Sequence, residues 1–316
     1  MAAITAPAPG GLTRSRRKRF LDGIYPYGYI APSIAFMVIA SFFPIIFTLY
    51  ISMTNYGQGH ILSFSFVGLK NFVDIFTTFD VSVFIGVFEW TVAFAVVTTL
   101  SCFTGGLILA YLLNNENMWE RNIYRTLLII PWAIPGIVSM LAFQGIFSYF
   151  GLADNLTGQL GLGQPQFFND PFWARVVVLL VGFWAGYPFM MTACLGALQS
   201  ISPEVMQAAE IDGANAFQKF FRVTLPLLRT ATLPLIISTF AYNLNNFGIV
   251  YFLTQGGPAT STYAGATDIL PTYVYKLAFN LRLFGLGCAY GVVIFLIIGF
   301  FSSINMKLSG AFEQVD

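Results

Sequence analysis

The chain has 316 residues, 57% of them hydrophobic and 17% aromatic, and only 9% charged, against roughly 25% charged in a soluble domain. With a mean hydropathy of +0.73, that composition excludes a sizeable soluble domain and leaves short charged intervals between membrane spans of about 20 apolar residues. Fifteen basic against fourteen acidic residues give a net charge of +1 and no broad basic surface for nucleic acid.

An Ala/Pro/Gly-rich start leads into Arg14, Arg16, Arg17, Lys18 and Arg19, so residues 1–26 read as a basic tail, disordered before Arg14. The first apolar stretch, residues 27–52, is too long for a signal-peptide core and lacks a small-residue cleavage site, so it reads as a retained anchor. Further spans are predicted at about 85–113, 127–150, 173–198, 233–253 and 286–304. The expected fold is all-α: six transmembrane helices over residues 27–306, followed by a short tail over 307–316. Eleven of the fifteen Lys and Arg residues fall on the side of both termini, which places those termini in the cytoplasm and makes 200–229 an internal loop.

Pro44, Pro131, Pro135 and Pro188 lie inside spans, as ordinary kinks or as functional hinges. Gly182 and Gly186, like Gly287 and Gly291, share a helical face and suit close helix packing. Cys102, Cys194 and Cys288 are widely spaced within apolar stretches, and His60 is the one histidine, so neither a disulfide framework nor a metal site is expected and no cofactor is implied. Glu89 is the one acid inside a predicted span, near its external end, with no evident basic partner.

The internal loop is the most informative segment. Ser202 is a good N-cap, Pro203 suits the first helical position, and Glu204 complements the helix dipole. Asp212-Gly213 signals a turn, after which Phe217, Phe220 and Phe221 fall on one helical face until Pro226 is expected to stop the run. The expected product is a helix-turn-helix elbow, which by composition alone could equally lie in the lipid interface.

Gln207-Ala208-Ala209, Gly213 four residues later, and Val223-Thr-Leu225-Pro226 resemble the EAA loop of ABC importer permeases, with matching spacing throughout. Two positions depart: Gln207 stands where the family has Glu, and Val223 where it has Ile. The first removes a carboxylate that would face basic ATPase residues, and Glu204 or Glu210 could supply the charge only from other positions. Phe66-Val-Gly-Leu-Lys-Asn-Phe72, Tyr242-Asn-Leu-Asn-Asn-Phe247, Leu253-Thr-Gln-Gly-Gly-Pro258 and Tyr273-Val-Tyr-Lys-Leu-Ala-Phe279 extend the likeness to the MalF-type maltose/maltodextrin permeases. The large external domain and extra N-terminal helices of some such proteins are not expected here.

The resemblance implies a non-enzymatic permease subunit in a bacterial cell membrane, carrying maltodextrin. Its implied partners are a second, MalG-like permease, two MalK-like ATPases and an external sugar-binding protein. ATP would be hydrolysed by those partners, since no lysine here follows glycine as a phosphate-binding loop requires. Gln207, Ala208, Ala209, Asp212, Gly213, Leu225 and Pro226 are the implied ATPase-coupling residues.

In the fifth span Thr239, Tyr242, Asn243 and Asn246 occupy i, i+3, i+4 and i+7, a polar and aromatic face suited to a sugar or to interhelical hydrogen bonding. The resemblance favours the sugar, and adds Ala185, Gly186 and Phe189 from the fourth span as a second wall. Phe189 lacks the hydroxyl of the tyrosine expected there. A permease for another di- or oligosaccharide, for example of trehalose type, is the nearest alternative. An ion-coupled transporter would show midspan ionisable groups and inverted repeats, and neither is evident.

Overall fold

The computed structural model describes residues 16–77, 81–115 and 117–308. The expected disorder before Arg14 and most of the expected C-terminal tail lie outside them. The chain divides after Tyr50 into two compact parts, each described by itself.

In the first part, α1 (Arg16–Met37) begins well inside the stretch expected as a tail. Its Arg-Arg-Lys-Arg start consists of good helix formers. A π-helical turn, Val38–Phe42, joins it to α2 (Phe43–Ser52), and the Phe43 N–H bonds to the Val38 carbonyl, five residues back. Pro44 explains the wider turn: it has no N–H, and its ring would strike the carbonyl four residues behind it.

The second part contains α3 (Lys70–Thr77), α4 (Val81–Leu113), α5 (Arg121–Ala133), α6 (Gly136–Phe147), α7 (Leu152–Gln159) and α8 (Pro171–Gln199). It continues with α9 (Pro203–Ile211), α10 (Ala216–Gln218), α11 (Leu225–Leu244), α12 (Phe247–Thr254), α13 (Leu270–Tyr275) and α14 (Phe284–Leu308). Over the whole chain, five described stretches are long and apolar enough to cross a membrane: Tyr27–Ser52, Val81–Leu113, Gly136–Gln159, Pro171–Gln199 and Ala216–Leu244. Phe284–Phe300 is a shorter apolar helix.

Helices α4 and α8 form the centre of this part. Their approach is close because small residues face each other: a Cβ on Gly186 would stand 2.7 Å from Cys102 Sγ, and one on Gly106 would stand 2.6 Å from the Met191 backbone nitrogen. Gly182 and Gly186 therefore do pack as their spacing suggested. Gly287 is likewise tight against Ala278, whereas Gly291 faces open space.

Three predicted elements differ from expectation. The third span is broken, because Ile134 and Pro135 are extended between α5 and α6. The residue before a proline is pushed out of the helical region. The fifth span ends at Leu244 and resumes at Phe247, so 233–253 is not one helix. Pro226 does not stop the elbow's second helix, which continues from Ala216 to Leu244. There too a π-helical stretch, Lys219–Thr224, precedes the proline, with the Leu225 N–H bonded to the Phe220 carbonyl.

Helix α4 also sets the scale. Within its first half Thr91 Oγ1 accepts the Leu270 N–H at 3.0 Å, and near its C-terminal end Tyr111 meets Phe220 of the elbow with ring centroids 5.1 Å apart. Twenty helical residues separate these points by about 30 Å, the thickness of a bilayer's hydrocarbon core.

Candidate functional site

Midway along α4, between those two points, a cavity of about 660 Å³ opens among α4, α5, α6, α8, α11 and α12. A site for a small organic ligand typically has 300–1,000 Å³. Thr98 and Cys102 form its α4 wall, and Gly182, Ala185, Gly186 and Phe189 its α8 wall. Ser238, Thr239, Tyr242, Asn243 and Asn246 line it from the end of α11 and the break that follows. All seven residues expected to face a sugar thus surround one space: Ala185, Gly186, Phe189, Thr239, Tyr242, Asn243 and Asn246. No charged side chain lines it.

The way these residues meet is not the uniform helical face expected. Asn246 stands in the break at φ −81 and ψ 67, so its position on the wall owes nothing to helical periodicity. Tyr242 is 67% exposed. Asn243 is only 3% exposed; its Nδ2 donates to Thr99 Oγ1 at 3.0 Å, and its Oδ1 accepts from Asn246 Nδ2 at 3.5 Å. Asn243 therefore ties α11 to α4 and steadies the break. The interhelical role and the cavity role are shared out along the same four residues.

One wall was missed. Trp132, between Pro131 and the break at Ile134–Pro135, is 61% exposed, lines the cavity, and lies 6.5 Å from the Phe189 ring, centroid to centroid. A tryptophan flanked by two span prolines was the available signal, since a broken span turns its side chains off the regular helical stripe. Glu89 is exposed on α4 and does not line the cavity.

The elbow forms a separate site. Ser202 caps α9 by accepting the Glu204 N–H at 3.3 Å. Gly213 makes the turn at φ +78, a left-handed conformation that favours glycine. Asn215 and Gln218 then form a reciprocal capping box, with bonds of 2.8 and 3.0 Å. Gln207, Ala208, Asp212 and Pro226 are exposed, Leu225 is half-buried and Ala209 is buried. Glu210 is held by Lys219 at 2.6 Å, so it is not a free substitute for the carboxylate absent at Gln207. The three phenylalanines form one ring cluster, with Phe221 4.4 Å from Phe217 and 4.9 Å from Phe220, and Phe220 carries it inward onto Tyr111.

At the far end of α4 the 254–282 loop is fastened to the bundle. The Arg175 Nε donates to the Ala266 carbonyl at 2.8 Å while its guanidinium covers the Trp90 ring at 4.7 Å, and the Trp90 Nε1 donates to the Thr267 carbonyl at 3.2 Å. Inside the loop the buried Asp268 carboxylate accepts from Lys276 Nζ at 2.6 Å, the Gly265 N–H at 2.7 Å and the Thr272 hydroxyl at 2.8 Å.

A multi-pass helical bundle with an uncharged, mainly apolar cavity that carries a few polar groups midway along its central helix, and an exposed elbow at one end, has the architecture of a membrane permease. Residues 102–310 match the family model described as a binding-protein-dependent transport system inner membrane component, and the chain belongs to that family. The maltose/maltodextrin transport system permease protein MalF of Salmonella typhimurium is 41% identical over 249 residues, covering 76% of this chain and 48% of the relative. The protein of the same name from Escherichia coli strain K12 is 40% identical over 248 residues, with the same shares. The chain thus spans about half the length of the curated relatives it matches. Among solved structures, a chain of a bacterial alginate ABC transporter, crystallised with an alginate pentasaccharide-bound periplasmic protein, superposes with a TM-score of 0.78 at 21% identity. That match covers 95% of this chain and 99% of the other, and establishes the common fold.

Proposed function

We propose that this chain is a permease subunit of an ATP-driven importer for maltose and maltodextrins. The observation that carries the reading is the central cavity. It combines hydroxyls and amides with the Trp132, Phe189, Tyr242 and Phe252 rings, and carries no charged lining group. A neutral sugar needs this combination, aromatic faces for its C–H surface and donors and acceptors for its hydroxyls. An acidic polysaccharide would want basic partners. A neutral disaccharide of trehalose type is served by the same groups.

In this reading the elbow and both termini face the cytoplasm and the 254–282 loop faces outside, as the basic residues favour. The working complex contains a second, MalG-like permease, two MalK-like ATPases and a sugar-binding protein. The ATPases grip the exposed surface around Gln207, Ala208, Asp212 and Pro226. Leu225 and Ala209 seat that surface on the bundle, and Gly213 sets the angle between its helices. Closure of the ATPases rocks the bundle and opens the cavity alternately to the two sides.

Reconstitution with these partners and a maltose-loaded or maltotriose-loaded binding protein tests the reading directly. Tyr242→Ala removes a cavity ring that bonds nothing else in the bundle's core, and uptake should fall roughly 5- to 150-fold, the loss expected when a polar site leaves a group unpaired. Normal uptake by this variant would refute the cavity as the sugar site. Asn243→Ala should lower uptake and also lower the thermal midpoint of the permease, because its bond from α11 to Thr99 on α4 is lost.

A further inference from the structure

Both broken spans end against the central cavity. Helix α5 stops at Ala133, and Ile134 and Pro135 are extended; Pro131, Ile134, Gly136 and Ile137, on either side of that break, line the cavity. Helix α11 stops at Leu244, and Asn246 in the second break lines the same space. Non-helical backbone within a membrane is tolerated where it borders a cavity or is buried in protein, so the breaks belong to the cavity wall. Each of the two helices carries an amphipathic ring in its last turn, Trp132 two residues before Ile134 and Tyr242 three before Asn245.

Of the four aromatic residues that line the cavity, these two are the most exposed, at 61% and 67% against 40% for Phe189. Phe252 is half-buried. The Trp132 Nε1–H and the Tyr242 hydroxyl make no hydrogen bond among the described residues. Trp90 shows the ordinary structural use of an indole: it is buried, and its Nε1 donates to the Thr267 carbonyl at 3.2 Å. Trp132 instead touches one aromatic ring, Phe189 on the neighbouring α8, at 6.5 Å and a tilt of 46°. A tryptophan of an interfacial belt sits at headgroup level, whereas this one borders a cavity midway along α4.

We infer that Trp132 is a substrate-binding residue: one pyranose ring of the transported sugar stacks on its indole, and its Nε1–H donates to a hydroxyl of that unit. The inference rests on the sugar-cavity reading above and extends it to α5. A pyranose with equatorial hydroxyls turns C–H bonds toward its faces, which an aromatic face covers without stripping water from a polar group. The indole N–H is a donor only, and a hydroxyl at the edge of the stacked ring accepts it. Phe189 backs the indole from α8, and the fixed backbone of Pro131 and of Ile134–Pro135 holds the turn that carries it.

Trp132→Phe keeps an aromatic face and removes the N–H, whereas Trp132→Leu keeps apolar bulk and removes both. In the reconstituted complex with maltotriose-loaded binding protein, uptake should fall roughly 2- to 10-fold in Trp132→Phe and about 10-fold or more in Trp132→Leu. Assembly and thermal midpoint should stay near wild type, since the ring is exposed and its N–H bonds nothing in this chain. Normal uptake by Trp132→Leu beside impaired uptake by Tyr242→Ala overturns this inference alone, whereas normal uptake by both overturns the sugar cavity itself. Loss of the second permease on co-purification of both Trp132 variants assigns the exposed ring to the subunit interface and likewise overturns the inference.

Discussion

Gly213 in the elbow and Gly256 in the 254–282 loop share one backbone requirement, with φ of +78 and +79, in opposite surroundings. A side chain on Gly213 would meet no atom within 4 Å, whereas one on Gly256 would run into the Asp268 carboxylate and stand 2.7 Å from Lys276 Nζ. The elbow keeps its shape through its own caps and the Glu210–Lys219 pair, leaving its outer surface open. The other loop is closed around a buried charge and bonded to α4 and α8. The elbow is thus self-supporting, whereas the other loop is built into the core.

The largest effect of this contrast should come from Lys276→Met, which leaves Asp268 buried without a counter-charge. Breaking such a pair typically costs about 3 kcal/mol or more. Burial pushes the Asp268 carboxyl above its ordinary range, while the Lys276 ammonium and the bonds from Gly265 and Thr272 pull it back. Without the ammonium it should rise further. A raised carboxyl binds its proton more readily in the folded state, so the stabilisation it gives is complete in acid and fades as pH rises through the folded value. The thermal midpoint of Lys276→Met should therefore drop clearly at neutral pH and recover in part as pH falls toward the unfolded carboxylate range near 4. A midpoint equal to wild type at all pH values would show that the loop does not depend on this pair. Gly256→Ala should be comparably damaging, for steric rather than electrostatic reasons.

Much of the elbow was legible in the sequence, and the reason is physical. Ser202 with Pro203 and Asp212-Gly213 act over a few residues, so spacing alone places them; the Asn215–Gln218 capping box appears only in the structure. The cavity is assembled from helices distant in sequence. Spacing put Thr239, Tyr242 and Asn243 together, but the wall that includes Trp132 and Asn246 depends on breaks at Pro135 and Asn245. Pro135 marked the first break, whereas the asparagines of Tyr242-Asn-Leu-Asn-Asn-Phe247, weaker helix-ending signals, were outweighed by the apolar residues on either side. The π-helical stretches before Pro44 and Pro226 were hidden too, since a kink was expected at the first and a stop at the second, and the wider turn is the alternative that keeps the helix continuous.

A smaller effect separates conformation from crowding at the elbow. Gly213→Ala places an ordinary residue in the left-handed region at about 1–2 kcal/mol, with no clash inside the chain, so the variant should insert normally and keep most of its ATPase association. Gly213→Pro cannot adopt a positive φ at all and should lose the ATPases on co-purification. Should Gly213→Ala fail as completely as Gly256→Ala, the open side of the turn would be filled by the partner, and the contrast between the two glycines would hold only for the isolated chain.

The smallest change tests what the open surface meets. Gln207 is exposed on α9, with Glu204 three residues before it and Glu210 three after. Gln207→Glu adds a like charge beside both, and such neighbours cost a few tenths of a kcal/mol on a helix. Lys219 already neutralises Glu210, so the repulsion comes chiefly from Glu204 and the permease alone should lose almost no stability. Any larger response must come from the partner. If the ATPase offers a basic side chain here, the new carboxylate makes a charge-assisted bond, and association should tighten a few-fold at low ionic strength and return toward wild type as salt screens it. Weaker association, with normal insertion and a normal thermal midpoint, would mean that the partner's surface matches an amide at this point, and the elbow's fit would then rest on shape and hydrogen bonding.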